Sequence, residues 1–365
     1  MIAVVTGASG FIGAHLVRAL QRANAEVRVL RRPASGVRVS TGQARPPALA
    51  AGGAHTEGST SPNAWTVDVL DREAVIRSDI WAGASHVFHL AGATRAVRTS
   101  DFTNANVLPT AHIAEALARC AVPPRLIVLS SLAAAGETPL GFGARTETMT
   151  DSPIEPYGRS KLGGERAAWR WQGEVPTTVL RPCAVYGPGD RDFLAAFAQV
   201  QRRVAWLAAA PEQAISMVYV ADLIRCLQVV ADHPRSIGAT WFVAHETPVT
   251  WRGLYQAMAG VVRCAPRLAT IPSFAMRTGA WFGDLIAHVT GRPPLLTSNK
   301  LALALARGWV CSSEAITEAT GWHAETALAT GLTATLDAYV AEGWLPMASS
   351  GTSTTTQSDS SVRYP

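Results

Sequence analysis

The sequence predicts a doubly wound α/β protein, a parallel sheet with helices on both faces, followed by a smaller C-terminal lobe over the sheet's carboxyl edge. Three observations carry this expectation. Through the first half, short apolar runs rich in Val, Ile and Leu alternate with helix-period segments, the pattern of strands buried on both faces. A glycine-rich loop joins the first such run to the first helical segment. Past Pro188 the alternation loosens, with turn signals at Pro211, Pro234, Pro248, Pro272 and Pro293-Pro294.

In order, strands are expected at Ile2–Thr6, Glu26–Leu30, Trp65–Asp68, His86–Leu90, Arg125–Ser130 and Thr177–Leu180. Helices are expected over Gly10–Ala23, Arg72–Ser78, Asn104–Ala121 and Pro156–Trp171, with right-handed crossovers between parallel strands. Residues 34–63 are rich in Gly, Ala, Ser, Thr and Pro without a period, and read as a long loop insertion between the second and third strands. Residues 348–365, mostly Ser, Thr and Gly, offer too little apolar surface to offset ordering entropy and are expected to be disordered. The most apolar helical stretch, Ser273 to Val289, is interrupted by Arg277 and Asp284. It reads as a buried or groove-lining helix in preference to a membrane-surface anchor.

Composition narrows the function classes. Among 365 residues 16% are charged and the net charge is +5. The basic residues stand singly, without interleaved aromatics, so no nucleic acid is expected as a partner. No run reaches the roughly 18 apolar residues of an integral membrane segment. No leader precedes the first strand, so the expected location is cytoplasmic. The five cysteines show neither a disulfide framework nor metal-ligand spacing, and no metal is expected.

The loop Thr6-Gly7-Ala8-Ser9-Gly10-Phe11-Ile12-Gly13 follows the first strand directly. Gly7 permits the turn, Gly10 lets backbone approach a pyrophosphate, and Gly13 lets helix and strand pack closely. The helix N-terminus then offers free N–H groups to phosphates. Together these predict a dinucleotide site in a Rossmann-type sheet. At the end of the second strand, where an acid would bind the ribose hydroxyls of NAD, stand Arg31 and Arg32. Guanidinium groups there suit a 2′-phosphate, so NADP (NADPH) is the expected cofactor, with NAD possible. Asp68 and Val69, after the third strand, are placed to contact adenine, and Asp68 equally suits a helix cap.

Tyr157-Gly158-Arg159-Ser160-Lys161 opens a helix behind Pro156. Tyrosine and lysine at i and i+4 share a face. An ammonium one turn away is expected to lower the phenol's pKa and make Tyr157 a proton shuttle. Of 32 basic residues only two, Lys161 and Lys300, are lysine, so this pairing is improbable as an accident. Ser130 and Ser131 end the fifth strand, where a hydroxyl can hold a substrate oxygen beside Tyr157; that role suits Ser131, while Ser130 better suits a backbone contact. Asn106, near the start of the fourth-to-fifth-strand helix, suits either a relay water or a buried structural amide.

These segments, TGASGFIG, His89–Gly92, LSSLAAAG (Leu129–Gly136), YGRSK and LRPCAVYGPGD (Leu180–Asp190), occur in this order. In that order they resemble the extended short-chain dehydrogenase/reductase, or NAD-dependent epimerase/dehydratase, family from Met1 to about Leu345. The later half is similar to its 3β-hydroxysteroid dehydrogenase and dihydroflavonol 4-reductase branch. The resemblance implies an active-site Ser131, acid/base Tyr157, ribose-binding Lys161 and supporting Asn106. It also implies cofactor contacts at Ser9, Phe11, Ile12, Leu90, Ala91, Gly92, Pro182 and Val185. It implies a structural role for Asp222, and a homodimer formed through the tyrosine helix, which carries Trp169 and Trp171. The expected division is a cofactor unit at 1–187 and a mainly substrate-binding lobe at 188–347, some of it returning to the core.

The expected activity is NADP-dependent ketone reduction or its reverse. Nucleotide-sugar epimerisation or dehydration is the alternative; a dehydratase would carry an acidic pair where Leu132 and Ala133 stand. A non-catalytic NADP sensor is a third reading, against which the retained Tyr157 and Lys161 speak. Trp241, Trp251, Trp281, Trp309, Trp322 and Trp344, with Phe274 and Phe282, suit either core packing or an apolar substrate pocket.

Overall fold

The computed structural model describes residues 1–33, 63–96, 98–290 and 298–346. The 348–365 tail and the 34–63 insertion, except Asn63, lie outside the described residues.

The chain begins with β1 (Ile2–Thr6), α1 (Phe11–Arg22) and β2 (Glu26–Arg31), then β3 (Asn63–Thr66), α2 (Arg72–Ile76) and β4 (His86–His89). β3 starts two residues before the expected strand and ends earlier, because Asp68 turns its carboxylate back onto the Leu70 N–H at 3.0 Å. The cap of α2 is Asp71, not Asp68.

The helix expected over Asn104–Ala121 is three pieces: α3 (Thr99–Phe102), a π-turn at Thr103–Val107, and α4 (Leu108–Ala118). Pro109 explains the break. It has no N–H to give to the carbonyl four residues back, so the ladder widens ahead of it. Next come β5 (Arg125–Leu129), α5 (Leu132–Ala135), α6 (Pro156–Trp169), β6 (Thr177–Pro182) and β7 (Ala184–Tyr186).

The second half holds α7 (Leu194–Gln201), β8 (Val204–Leu207), β9 (Ala214–Ile215), β10 (Met217–Tyr219), α8 (Val220–Asp232) and β11 (Thr240–Val243). It continues with β12 (Val249–Thr250), α9 (Trp251–Val262), β13 (Arg267–Thr270), α10 (Ser273–Thr290), α11 (Ser298–Leu305), α12 (Glu314–Thr320) and α13 (Leu328–Ala341).

The main sheet has seven strands in the order β11-β6-β5-β4-β1-β2-β3. Every pair is parallel. The order reverses between β1 and β4, and the carboxyl ends there open the crevice in which such sheets bind ligands. One apolar cluster, including Val5, Leu16, Phe88 and Leu227, covers one face; another, including Val4, Ile113, Leu117 and Val179, covers the other. Trp169 and Trp171 pack against this second cluster, within their own chain. A third cluster around Phe197, Leu254, Met258 and Tyr339 holds the later segments together.

Candidate active site

The glycine loop sits at the β1–β4 switch point. Gly7 has φ +72, and an added Cβ would lie 2.7 Å from the Ala91 nitrogen, so the loop packs onto the turn after β4. A Cβ on Gly13 would lie 2.9 Å from Ala8 Cα, which is the close helix–strand approach its position requires. Gly10 caps α1 in extended conformation with no side-chain cap, and no acidic residue stands in the first turn. The first N–H groups of α1, from Phe11 to Gly13, therefore face outward as donors for an anion.

Behind the loop, a chain of hydrogen bonds fixes the turn after β4. Thr6 Oγ1 lies 2.8 Å from His89 Nδ1, and His89 Nε2 lies 2.9 Å from Thr110 Oγ1. Thr110 donates to the Asn106 carbonyl at 2.8 Å. Its oxygen thus accepts from Nε2–H, and Nδ1 accepts from Thr6, whose oxygen takes the Ala91 N–H at 3.1 Å. Burial, with Lys161 and Arg32 nearby, holds the His89 imidazolium down to about 3, so the ring is neutral.

Asn106 is buried, and its amide is fully engaged. Nδ2 donates to the Ala93 carbonyl (3.0 Å) and Ser160 Oγ (2.8 Å), while Oδ1 accepts from the Ala93 N–H (2.8 Å). Of its two expected roles, the structural amide is the one seen: it ties the turn after β4 to α6. A relay water held by its side-chain donors is not supported, since both already have partners.

α6 carries Tyr157 and Lys161 to the carboxyl end of β5. Its N-cap is Glu155, a buried carboxylate that accepts from the N–H groups of Tyr157 (2.6 Å) and Gly158. A Cβ on Gly158 would lie 2.9 Å from the Ala133 carbonyl carbon, so glycine alone lets α6 approach α5 this closely. Lys161 Nζ donates to the Leu129 carbonyl at 2.6 Å. It also lies 3.6 Å from where a Gly92 Cβ would stand, which joins the tyrosine helix to the β4 turn. Ser131 caps α5, accepting from the Ala133 N–H at 3.2 Å, and its hydroxyl is near enough to the Tyr157 phenol to favour the phenolate.

The electrostatics differ from the sequence expectation. The phenol of Tyr157 is pushed up to about 12, first by burial, then by the carboxylates of Glu155 and Asp192 against the Ser131 hydrogen bond. Lys161 does not lower it, because burial brings the lysine's own pKa down to about 8, so the amine is already neutral where the phenol would ionise. Loss of solvation outweighs the neighbouring charge. In this state Tyr157 is a neutral phenol with its proton in place.

Ser130 takes neither a substrate-side nor a backbone role. Its hydroxyl donates to the Glu165 carboxylate, which pairs with Arg181 at 3.0 and 2.6 Å. Arg181 reaches Asp151 as well, at 2.8 and 2.7 Å. Sequence reading missed this buried network and the Glu155 cap. The cap carried a local signal, an acid immediately before Pro-Tyr at a helix start.

Arg31 ends β2 and Arg32 follows it, both exposed, with the Arg32 guanidinium in the field of Asp68. Val69 is buried, and its carbonyl lies 3.0 Å from His112 Nδ1. Pro182 and Val185 lie at and just past the carboxyl end of β6. Asp222 is buried and accepts the Thr326 N–H at 3.0 Å, a structural contact. The aromatic residues of the second half do not share one pocket. Trp241 and Trp322 are core residues, Trp251, Trp309 and Trp344 pack around the third cluster, and Phe274, Trp281 and Phe282 point to solvent. A cleft of about 550 Å³ lined by Glu246, Ser313, Glu314 and Thr317 includes neither Tyr157 nor Lys161. Among the described residues no His, Cys, Asp and Glu cluster could hold a metal, and no helix is long and apolar enough to cross a membrane.

A glycine cradle at the switch point, with a tyrosine and a lysine one helical turn apart beside a serine at a strand end, defines the short-chain dehydrogenase/reductase class. The model of the NAD dependent epimerase/dehydratase family matches residues 3–244, and the chain belongs to that family of NAD(P)-dependent enzymes. Ceramide reductase of Caulobacter vibrioides is 28% identical over 353 residues, covering 94% of this chain and 96% of the relative. A 4-hydroxy-2-methyl-3-oxo-4-farnesyl-3,4-dihydroquinoline-1-oxide ketoreductase of Stigmatella aurantiaca is 25% identical over 285 residues, covering 77% and 79%. Among solved structures, UDP-glucuronic acid 4-epimerase of Bacillus cereus in complex with UDP-glucuronic acid and NAD superposes with a TM-score of 0.70 at 20% identity, covering 94% and 99%.

Proposed function

We propose that this protein is an NADPH-dependent carbonyl reductase acting on an apolar ketone with an acyl chain or ring. The observation that carries the reading is the protonated Tyr157 phenol in reach of the Ser131 hydroxyl, with Lys161 alongside at the end of β5. The residues fit a dinucleotide: the uncapped start of α1 offers N–H groups to a pyrophosphate, Gly7 and Gly13 fill spaces no Cβ could occupy, and Lys161 presents an ammonium to ribose hydroxyls. Arg31 and Arg32 at the end of β2 supply cations for a 2′-phosphate, which favours NADP over NAD.

When bound, the nicotinamide supplies the hydride. The protein's own part is orientation and proton delivery. Ser131 and Tyr157 hold the carbonyl oxygen by hydrogen bonds, and the phenol gives its proton as the oxygen gains charge. Asn106 and Glu155 hold α6 in register with the cofactor edge. The end-to-end likeness to a ceramide reductase supports a lipid-like ketone. Leu132 and Ala133, helical and acid-free after Ser131, speak against dehydration.

The test is NADPH oxidation, followed by absorbance, across acyl-chain, steroid, polyketide and nucleotide-sugar substrates. Stoichiometric NADPH loss on an apolar ketone is expected. Tyr157→Phe should keep NADPH binding and lose roughly 10²–10⁴ in kcat. Conversion of a nucleotide sugar alone, without net NADPH loss, overturns the proposal.

A further inference from the structure

Ordinary surface helices bury their large apolar side chains. Among its described residues α10 exposes three large aromatic ones. Toward the protein it turns Met276, Ala280 and Gly283, mostly small, all buried. Outward it turns Phe274, Trp281 and Phe282, which are 71%, 63% and 57% exposed. At about 100° per residue, these three share one stripe opposite the buried face. Arg277, also exposed, flanks the stripe.

The strand pair that leads into α10 continues the pattern. β8 and β13 run parallel, with Val204 beside Arg267 and Trp206 beside Ala269. Ala205 and Leu207 face inward, while Val204 and Trp206 face out, Trp206 with 57% exposure. Only Ile271 and Pro272 separate β13 from α10. Because the strands are parallel, their starts lie at one end, and arginines gather there. The Arg267 N–H bonds the Arg203 carbonyl at 3.0 Å, and Cys264 Sγ, next to Arg263, lies 3.4 Å from the Val200 carbonyl, two residues before Arg202. Among the described residues the guanidinium groups of Arg202, Arg203, Arg263 and Arg267 make no ion pair.

Outward aromatic rings on α10, with Trp206 and exposed arginines on the strand pair that leads into it, match the chemistry of one partner. We propose that α10 and the β8–β13 pair form a docking surface for an anionic lipid bilayer, with Phe274, Trp281, Phe282 and Trp206 entering the interface and the arginines meeting headgroup phosphates. Tryptophan and phenylalanine partition to that depth, and each arginine near an anionic surface adds roughly fivefold to binding. The chain's net charge of +5 acts in the same direction. The protein then lies on the membrane without spanning it. This goes beyond the proposed reaction and does not depend on it, since binding is read with no cofactor or substrate present.

The experiment is co-sedimentation of the full chain with phosphatidylcholine vesicles, with and without one third phosphatidylglycerol. The wild type should sediment with the anionic vesicles and only weakly with neutral ones. Arg203→Glu/Arg267→Glu should lose that preference. Phe274→Ser/Trp281→Ser/Phe282→Ser should lower binding at least about tenfold, with an unchanged melting temperature. Should that triple variant fail to fold, wild-type tryptophan fluorescence with brominated acyl chains decides: quenching should occur, and should lose amplitude in Trp281→Phe. A wild type that stays in the supernatant, or a folded triple variant that binds as well as wild type, overturns the proposal. So does a wild-type dimer, indifferent to vesicles, that the triple variant converts to monomer, since a second copy would then cover this face.

Discussion

His89 should make this protein acid-sensitive by a calculable amount. Its folded-state pKa is about 3 against an ordinary 6.5, because the buried ring cannot be hydrated as a cation and faces Lys161 and Arg32. Below about pH 6.5 the unfolded chain takes up a proton that the folded chain refuses, so stability present at neutral pH is lost as pH falls. The loss runs at about 1.4 kcal/mol per pH unit down to the folded pKa and amounts to about 2 kcal/mol between pH 7 and pH 5. Other groups titrate in this range too, so the comparison is with His89→Gln, which keeps one acceptor for Thr6 and one donor for Thr110 but has no proton to gain. Urea unfolding at pH 7, 6 and 5 gives both pH slopes. The wild type should lose about 2 kcal/mol more than the variant over this interval. A difference below about 0.5 kcal/mol refutes the reasoning and means that the ring is hydrated or already protonated in the native state.

Three further outcomes follow from the scaffold around the site. Gly158→Ala must push α6 away from the Ala133 carbonyl; it should cost about 1–3 kcal/mol in thermal unfolding and lower kcat by displacing Tyr157. Glu165→Gln leaves the buried Arg181 with Asp151 alone and should cost about 3–5 kcal/mol in urea titration, whereas Glu165→Leu/Arg181→Met/Asp151→Asn should cost much less because no member of the network is left as an unpaired charge. Arg31→Glu/Arg32→Glu should weaken NADPH binding by roughly 10–100-fold while leaving NADH binding little changed, as read by fluorescence titration.

What sequence made legible follows from how local each feature is. The Gly7–Gly13 loop and the Tyr157–Lys161 pair are set by a handful of consecutive residues, so spacing alone placed them. The strands were readable because those buried on both faces are apolar throughout. The Glu165–Arg181–Asp151 network was not readable. Its members stand 16 and 30 residues apart, and they meet only because α6 and the segment before it pack beside β6. The Thr6–His89–Thr110 chain joins partners from β1, β4 and α4 in the same way. Ser130 illustrates the limit: sequence sets Ser131 apart as the active-site hydroxyl and suits Ser130 to a backbone contact, and only the three-dimensional neighbour Glu165 shows what Ser130 binds. In α10, the apolar stretch reads as a buried or groove-lining helix, but composition cannot say which way its side chains face. That depends on where the rest of the chain lies: Phe274, Trp281 and Phe282 face solvent, while Met276 is buried.

The ionisation states of Tyr157 and Lys161 bear on the direction of the chemistry. Reduction needs a proton at the substrate oxygen, and a phenol held near 12 carries one at every physiological pH. Oxidation of the matching alcohol needs the same oxygen bare, against burial and the carboxylates of Glu155 and Asp192. The two directions should therefore show different pH profiles. Ketone reduction should be level through neutrality and fall above about pH 8, where Lys161 loses its charge. Alcohol oxidation should climb from neutral pH, by up to about tenfold per unit, because the phenolate fraction grows at that rate below the phenol's pKa. A cation placed beside the phenol by ligand binding would lower that pKa and start the climb earlier, without changing its sign. Measured kcat/KM profiles that coincide in the two directions would mean that Tyr157 is not the group exchanging the proton.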